Sequence, residues 1–360
     1  MKHIKRLLAA ALTLGMTLLS LTACDSGGDT ASDRQHEAQT ADAAQSANGA
    51  EYEPVNFVLG HVGAASDVNL LQRFAEKFKN DVEEKSHGQV TIEIHPGGEL
   101  GGERDLVEGV QLGTIDMALS SSNVLGNFVS DVFAFDFPFL FKDEAHAARV
   151  FDGDIGQEMR QKVIAASGIN VLVWPSNGAR QIMNSKRPVT KAADLKGIKI
   201  RTAENKIHMA LFSALGADPT PIGAPELYTS LQQGVVDAME GTLTWIVPAK
   251  YYEVQPYVSM TSHLYAPSIL AMNDAAFQAL PENTRTLLQE CAETARDYQR
   301  DYVTNADEDM IKILEENGIQ VTRAEDIDRQ SFVEATQVVY DELGADYKEI
   351  IDRIKALENA

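Results

Sequence analysis

The sequence predicts an α/β fold of two lobes joined by a hinge, with one long helix spanning both. Three observations predict it. Residues 55–119 alternate strand and helix patterns in the order strand, helix, strand, helix, strand. Residues 194–237 hold a second α/β run that delivers an arginine at the C-terminal end of a short strand. An apolar stripe at helical spacing then starts at Pro281-Glu282 and ends at Asn317-Gly318. At 1.5 Å per residue that helix is about 55 Å long, more than one lobe can cover.

Taken in order, Val55 to Gly60 reads as a first strand. Val68, Leu71, Phe74, Ala75, Phe78 and Val82 recur at helical spacing, with Ser66 or Asp67 as the N-cap. Val90, Ile92 and Ile94 alternate as a second strand, which Pro96-Gly97-Gly98 ends. Glu103 to Leu112 is a short helix and Ile115 to Leu119 a third strand. This rhythm predicts a mainly parallel sheet with right-handed crossovers. The aromatic run Asp136-Phe-Pro-Phe-Leu-Phe141 is expected in the core, and Val171 to Trp174 is a further buried strand. The chain enters the second lobe at Asn177-Gly-Ala-Arg180 and returns near Tyr265, so at least two crossings form the hinge. Within that lobe Ile198 and Ile200 alternate with Lys199 and Arg201, a strand with one buried face. A helix, a proline-bounded loop, a second short helix and another strand follow. The long helix carries Leu287, Leu288, Cys291, Ala295, Tyr298, Tyr302, Ala306, Met310, Ile313 and Leu314, with Pro at its start and Gly after its end. The expected lobes are residues 54–178 with 266–305, and 179–265 with 306–360.

The ends and the composition bound the function. Lys2, Lys5 and Arg6 precede an apolar stretch, Leu7 to Leu21, that is short for a membrane span. The stretch closes in Leu21-Thr22-Ala23-Cys24, which resembles the lipobox of bacterial lipoproteins. That resemblance implies a leader of residues 1–23, cleavage before Cys24 and a lipid on its sulfur, which would keep the protein on a membrane surface. An aspartate after that cysteine, here Asp25, resembles an inner-membrane retention signal. Residues 24–53 are a flexible tether: between 25 and 50 no aliphatic side chain is larger than Ala, too little apolar surface to offset the entropy of ordering. The net charge of −22 becomes −25 once the three charges of Lys2, Lys5 and Arg6 are removed. Such an acidic body argues against nucleic acid and anionic membrane surfaces as partners. Cys291 is the only cysteine besides Cys24, so no intramolecular disulfide is expected. The histidines show no metal-ligand spacing, and there is no phosphate loop, nucleophile elbow or dinucleotide fingerprint. No metal, cofactor or enzymatic activity is expected.

Three motifs carry a resemblance to a known family. They are Asp194-Leu-Lys-Gly-Ile-Lys-Ile-Arg201 with Leu215-Gly-Ala-Asp-Pro-Thr-Pro221 and Glu226-Leu-Tyr-Thr-Ser-Leu-Gln-Gln-Gly-Val-Val-Asp237; Gly98-Glu-Leu-Gly-Gly-Glu-Arg-Asp105 with Gly109-Val-Gln-Leu-Gly-Thr-Ile-Asp116; and the aromatic run at 136–141. Over roughly residues 54 to 350 the chain resembles the DctP-type solute-binding subunits of TRAP (tripartite ATP-independent periplasmic) transporters. The resemblance implies a periplasmic-binding-protein-like fold that closes on an organic acid and delivers it to the transporter's membrane subunits. It also implies that Arg201, and less uniformly Arg180 in Asn177-Gly-Ala-Arg180, hold the ligand carboxylate. A guanidinium suits that role because its parallel donors match both carboxylate oxygens.

Two departures bear on the ligand. In Val236-Asp-Ala-Met-Glu-Gly-Thr-Leu243, Gly241 stands where many members have an asparagine, and Ala224 stands where an aromatic ring often lines the pocket. Both remove bulk, which implies room for a different ligand body or for ordered water. Glu240 is a candidate acceptor for ligand hydroxyls, or alternatively an N-cap for the helix at Thr242. Ser121, Ser122 and Asn123 follow a buried strand and are placed to bond hydroxyls, or to cap the next turn. His61, at the end of the first strand, is a weaker candidate. Sugar acids such as uronates or aldonates are the favoured ligands, with dicarboxylates and small sulfonates as alternatives. The competing functions are an extracytoplasmic enzyme acting on such acids and a receptor domain reporting them to a partner.

Overall fold

A computed structural model describes residues 52–265 and 267–359. The expected leader, Cys24 and nearly all of the tether lie outside these residues.

The fold is a mixed α/β protein built on two sheets. The first is made from β1 (Val55–Gly60), β2 (Val90–His95), β3 (Met117–Ser121), β4 (Ile169–Val173) and a late strand, Ser268–Asn273, in the order β2-β1-β3-late strand-β4. Its helices are α1 (Leu70–Lys85), α2 (Glu103–Leu112), the short α3 (Ser122–Leu125), α4 (Glu144–Asp152) and α5 (Asp154–Ser167). The second sheet takes β5 (Ala179–Asn184), β6 (Lys199–Thr202), β7 (Asp218–Pro221), β8 (Ala238–Gly241), β9 (Tyr257–Tyr265) and, at its edge, β11 (Gln320–Thr322). The late strand of the first sheet is therefore β10 (Ser268–Asn273). Helices α6 (Lys206–Ala214), α7 (Ala224–Gln232) and the single turn α8 (Leu243–Ile246) accompany the second sheet. The short α9 (Asp274–Ala279) then leads into α10 (Glu282–Glu316), followed by α11 (Arg329–Leu343) and α12 (Lys348–Ala356).

Several expectations change in detail. The first sheet is parallel only across β2, β1 and β3; β10 lies antiparallel to both β3 and β4. The returning chain thus fills the middle of the sheet rather than an edge. The proline-bounded loop at 215–221 is in fact strand β7, paired parallel to β6. Pro219 and Pro221 are tolerated because β7 is the outermost strand and needs no donor on its free side. The N-cap of α1 is Asn69, not Ser66 or Asp67: its Oδ1 accepts from the N–H groups of Leu71 and Gln72 at 3.0 and 3.2 Å. The third strand starts at Met117 rather than Ile115.

Helix α10 runs 35 residues without interruption, about 52 Å at the standard rise, until Gly318 turns the chain at φ 78°. Its first half buries Leu287, Leu288, Cys291, Ala292 and Ala295 in the core with Phe57 and Leu119. Its last turns bury Met310, Ile311 and Leu314 among Met183, Leu231 and Val258 of the second sheet's core. One rigid element therefore belongs to both cores. Phe137 and Phe141 of the aromatic run are core as expected: Phe137 lies 5.0 Å from Tyr340, and Phe141 lies 5.5 Å from Tyr265.

The C-terminal segment corrects the expected assignment of residues 306–360 to the second lobe. Phe332 of α11 packs with Leu211 and Phe212 there, but Tyr347, Ile351 and Ile354 join the first lobe's core beside Phe137, Ile155 and Met159. A ring nitrogen of His146 meets the Ile354 carbonyl oxygen at 2.8 Å, and Arg353 forks onto Glu158 at 2.7 and 2.8 Å. The apolar stripe of α12 is buried by helices α4 and α5, a partner the local sequence does not name.

Candidate ligand site

A cleft that encloses about 480 Å³ of space, open solvent included, lies between the two sheets, lined from one side by Glu103, Ser121 and Asn123 and from the other by Arg180, Arg201 and Trp245. Ser121 ends β3, Arg201 lies near the end of β6, and Thr242 follows β8, so strand ends converge there as in other open α/β sheets.

The two arginines are held differently. Arg180, 5% exposed, is engaged by Glu240: Nε donates to one carboxylate oxygen, Nη2 to the other at 2.8 Å, and Nη2 also to the Glu240 carbonyl at 3.2 Å. Its charge is matched. Arg201 is 3% exposed, and its Nε donates to the Ile222 carbonyl at 2.7 Å. Its guanidinium carbon lies 5.6 Å from the centroid of the Trp245 ring. Among the described residues no carboxylate pairs with it and its two terminal amines have no hydrogen-bond partner. Burial lowers its pKa from the ordinary guanidinium value, with Glu240 and Glu103 only partly offsetting that. A buried cation with free donors is costly unless an anion arrives to match it.

Glu240 is fully buried and sits behind Arg180, not at the cavity wall. Besides Arg180, His208 Nδ1 lies 3.8 Å from one carboxylate oxygen and His263 Nε2 3.6 Å from the other. Burial alone would raise its carboxyl pKa, but Arg180, His208 and His263 outweigh that and hold it well below the usual range. The expectation that it accepts ligand hydroxyls is thus corrected by geometry: its oxygens serve Arg180. Nor does it cap the next helix, whose N-cap is Thr242. His208 continues the network across the cleft, with Nε2 3.6 Å from Asp136, whose other oxygen accepts from Asn205 at 2.7 Å.

Gly241 also differs from expectation. A Cβ at that position would lie 2.6 Å from Trp245 Cε3, so the room left by the missing side chain is filled by the indole and not by open space. His61 is fully buried, does not line the cavity, and its Nδ1 accepts from the Gly63 N–H at 3.1 Å. Burial lowers its pKa to about 4, so it is a neutral core histidine. Ser121 and Asn123 do line the cavity, and Ser121 Oγ and Asn123 Oδ1 are buried with no protein partner among the described residues. Buried polar atoms are normally satisfied, so these two suit hydroxyls or water. Ala224 lines the cavity as well.

Three further residues, Glu103, Asn69 and Trp245, belong to the site. Glu103 accepts the Ser121 N–H at 2.9 Å and faces both arginines; burial raises its carboxyl pKa against their pull. The two glycines before it, a turn delivering a helix N-terminus, were the available signal. Asn69 caps α1 and reaches the Thr244 carbonyl across the cleft at 3.4 Å, and Trp245 backs Arg201. Neither bears a local signal. Among the described residues no His, Cys, Asp and Glu group could hold a metal ion, and no helix is long and apolar enough to cross a membrane.

Two sheets around a cleft with an unmatched cation define a two-lobed solute-binding protein. The chain belongs to the DctP family, described as "Bacterial extracellular solute-binding protein, family 7", whose profile matches residues 59–346. It is 34% identical over 285 residues to the 2,3-diketo-L-gulonate-binding periplasmic protein YiaO of Escherichia coli K12, covering 79% of this chain and 86% of that one. A TRAP periplasmic solute-binding protein from Polaromonas sp. JS666, solved with D-erythronate, superposes with a TM-score of 0.80 at 35% identity, covering 85% of this chain and 98% of that one. The sugar acid binding protein DctPAm from Advenella mimigardefordensis, solved with galactonate, has a TM-score of 0.81 at 27% identity, covering 86% and 99%.

Proposed function

We propose that this chain captures a sugar acid outside the cytoplasm through Arg201 and hands it to the membrane subunits of a TRAP transporter. The observation that carries the reading is the buried guanidinium of Arg201, facing the cleft with no carboxylate paired to it among the described residues. The ligand carboxylate takes its terminal amines, Arg180 adds a second donor while Glu240 keeps that side chain in place, and Ser121 and Asn123 meet hydroxyls. The ligands named for relatives support the class, since erythronate, galactonate and diketogulonate each join one carboxylate to a chain of oxygen-bearing carbons. The protein acts by binding, not turnover. It stays on the membrane through lipid on Cys24, a reading the Leu21-Thr22-Ala23-Cys24 run supports.

A thermal-unfolding screen of aldonates and uronates on refolded protein tests this. A ligand at about 100 times its Kd adds roughly 2.7 kcal/mol of stability, and the acid should be recovered chemically unchanged. No shift with any sugar acid, or appearance of a product, would sink the reading. Cys24→Ala should leave a soluble or an unprocessed protein; a processed, salt-resistant membrane species in that variant would remove the anchor.

A further inference from the structure

Outside the inner cavity lies a second space of about 690 Å³, bordered by Gly102, Arg104, Glu204, Gly223 and Glu226. Four residues line both spaces: Glu103, Arg201, Ala203 and Ala224. The two spaces are therefore adjacent, and these four side chains frame the neck between them. Two of its walls are single methyl groups, the smallest side chains short of glycine, and the other two are the opposite charges of Glu103 and Arg201. Ala203 follows β6 and Ala224 opens α7, so both methyls sit on backbone fixed by regular structure.

We infer that the ligand threads this neck, and that Ala224 sets the length and end-group chemistry of the acid accepted. The inference rests on the proposed role of Arg201 as carboxylate anchor. Arg201 is the buried cation common to both spaces, with terminal amines that have no partner among the described residues, so an acid held on them lies at the neck, its nearer hydroxyls toward Ser121 and Asn123 and its far end free to extend outward. The outer space is acidic. Glu103, Asp105, Glu204 and Glu226 border it; Asp105 is engaged by the Gly102 N–H at 2.8 Å, and Arg104, the one cation besides Arg201, is paired with Glu204 at 3.1 Å. A hydroxylated, uncharged end fits there, accepting or donating to the carboxylates. A second carboxylate meets like charge with no free cation to offset it, which discriminates by repulsion. The preferred ligand is thus a polyhydroxy monoacid longer than four carbons, not a diacid.

Titration calorimetry with D-erythronate, D-galactonate and the six-carbon diacid galactarate tests this on the wild type, Ala224→Phe and Ala224→Leu. Wild type should bind galactonate at least about tenfold more tightly than galactarate. In both variants the galactonate-to-erythronate affinity ratio should fall by about tenfold or more, the size expected when a few carbons block a fitted site. Apo melting curves confirm that each variant is folded, and the smaller leucine serves where phenylalanine is not. An unchanged ratio in a folded variant overturns the threading, and equal affinity for the diacid overturns the charge selection. If none of the acids binds wild type, the anchor reading falls first and this inference with it.

Discussion

Replacing Arg201 by Lys keeps the positive charge and removes the fork. In the protein the Arg201 Nε–H donates to the Ile222 carbonyl at 2.7 Å, which orients the guanidinium and leaves two amines for a carboxylate. A lysine ammonium is a compact point charge that cannot hold both the carbonyl and two carboxylate oxygens in that geometry. At least one hydrogen bond to a charged group is lost, and such bonds contribute about 1.5–3 kcal/mol. Since about 1.4 kcal/mol is tenfold in affinity, the Kd for the acid should rise by roughly 10- to 150-fold. Arg201→Ala should weaken binding further, because the remaining cation, Arg180, is already matched by Glu240. The ligand-free protein should melt at the same or a higher temperature in both variants, since no carboxylate pairs with Arg201 and burial disfavours its charge. Titration calorimetry and apo melting curves separate the outcomes. Unchanged affinity with a collapsed apo melting temperature would show that Arg201 is a structural group and refute the carboxylate anchor.

Three further expectations follow from buried ionisable side chains. Glu240→Gln leaves the buried Arg180 cation without its counterion; breaking such a pair costs about 3–5 kcal/mol, so apo stability in denaturant titrations should fall by an amount near the lower end, and an unaltered midpoint would count against the pairing. His61, with its pKa lowered by burial to about 4 from 6.5, contributes stability that is full above pH 6.5 and lost as pH falls toward 4, roughly 3 kcal/mol in all. For His208 burial lowers the pKa but Asp136 and Glu240 outweigh it, so the net shift is upward and its contribution is full below pH 6.5 and lost on the alkaline side. The fall in stability between pH 6.5 and 4 should therefore be smaller in His61→Gln, and the fall on the alkaline side smaller in His208→Gln; identical profiles in wild type and variants would disprove both assignments.

The sequence by itself determined the elements whose signals are local. Strand Val55–Gly60, helix Glu103–Leu112 and the long helix from Glu282 coincide with their periodicity and end signals. The Lys196-to-Arg201 run likewise marks a side chain that lines the cleft, whereas Arg180, which lines it too, is marked by the resemblance of Asn177-Gly-Ala-Arg180 to a family motif. Backbone period and turn residues act over a few positions, so they can be read from a few positions. Tertiary structure alone decided the antiparallel insertion of β10, the edge pairing that makes a strand of Asp218–Pro221, and the burial of α12 against the first lobe. It also turned Glu240 toward Arg180, 60 residues away, laid Trp245 over Gly241, and set Glu103 opposite Arg201. These outcomes depend on which distant donor, carboxylate or apolar face is left unsatisfied once the chain is compact, and a buried charge must then be matched by whatever group packing brings within reach.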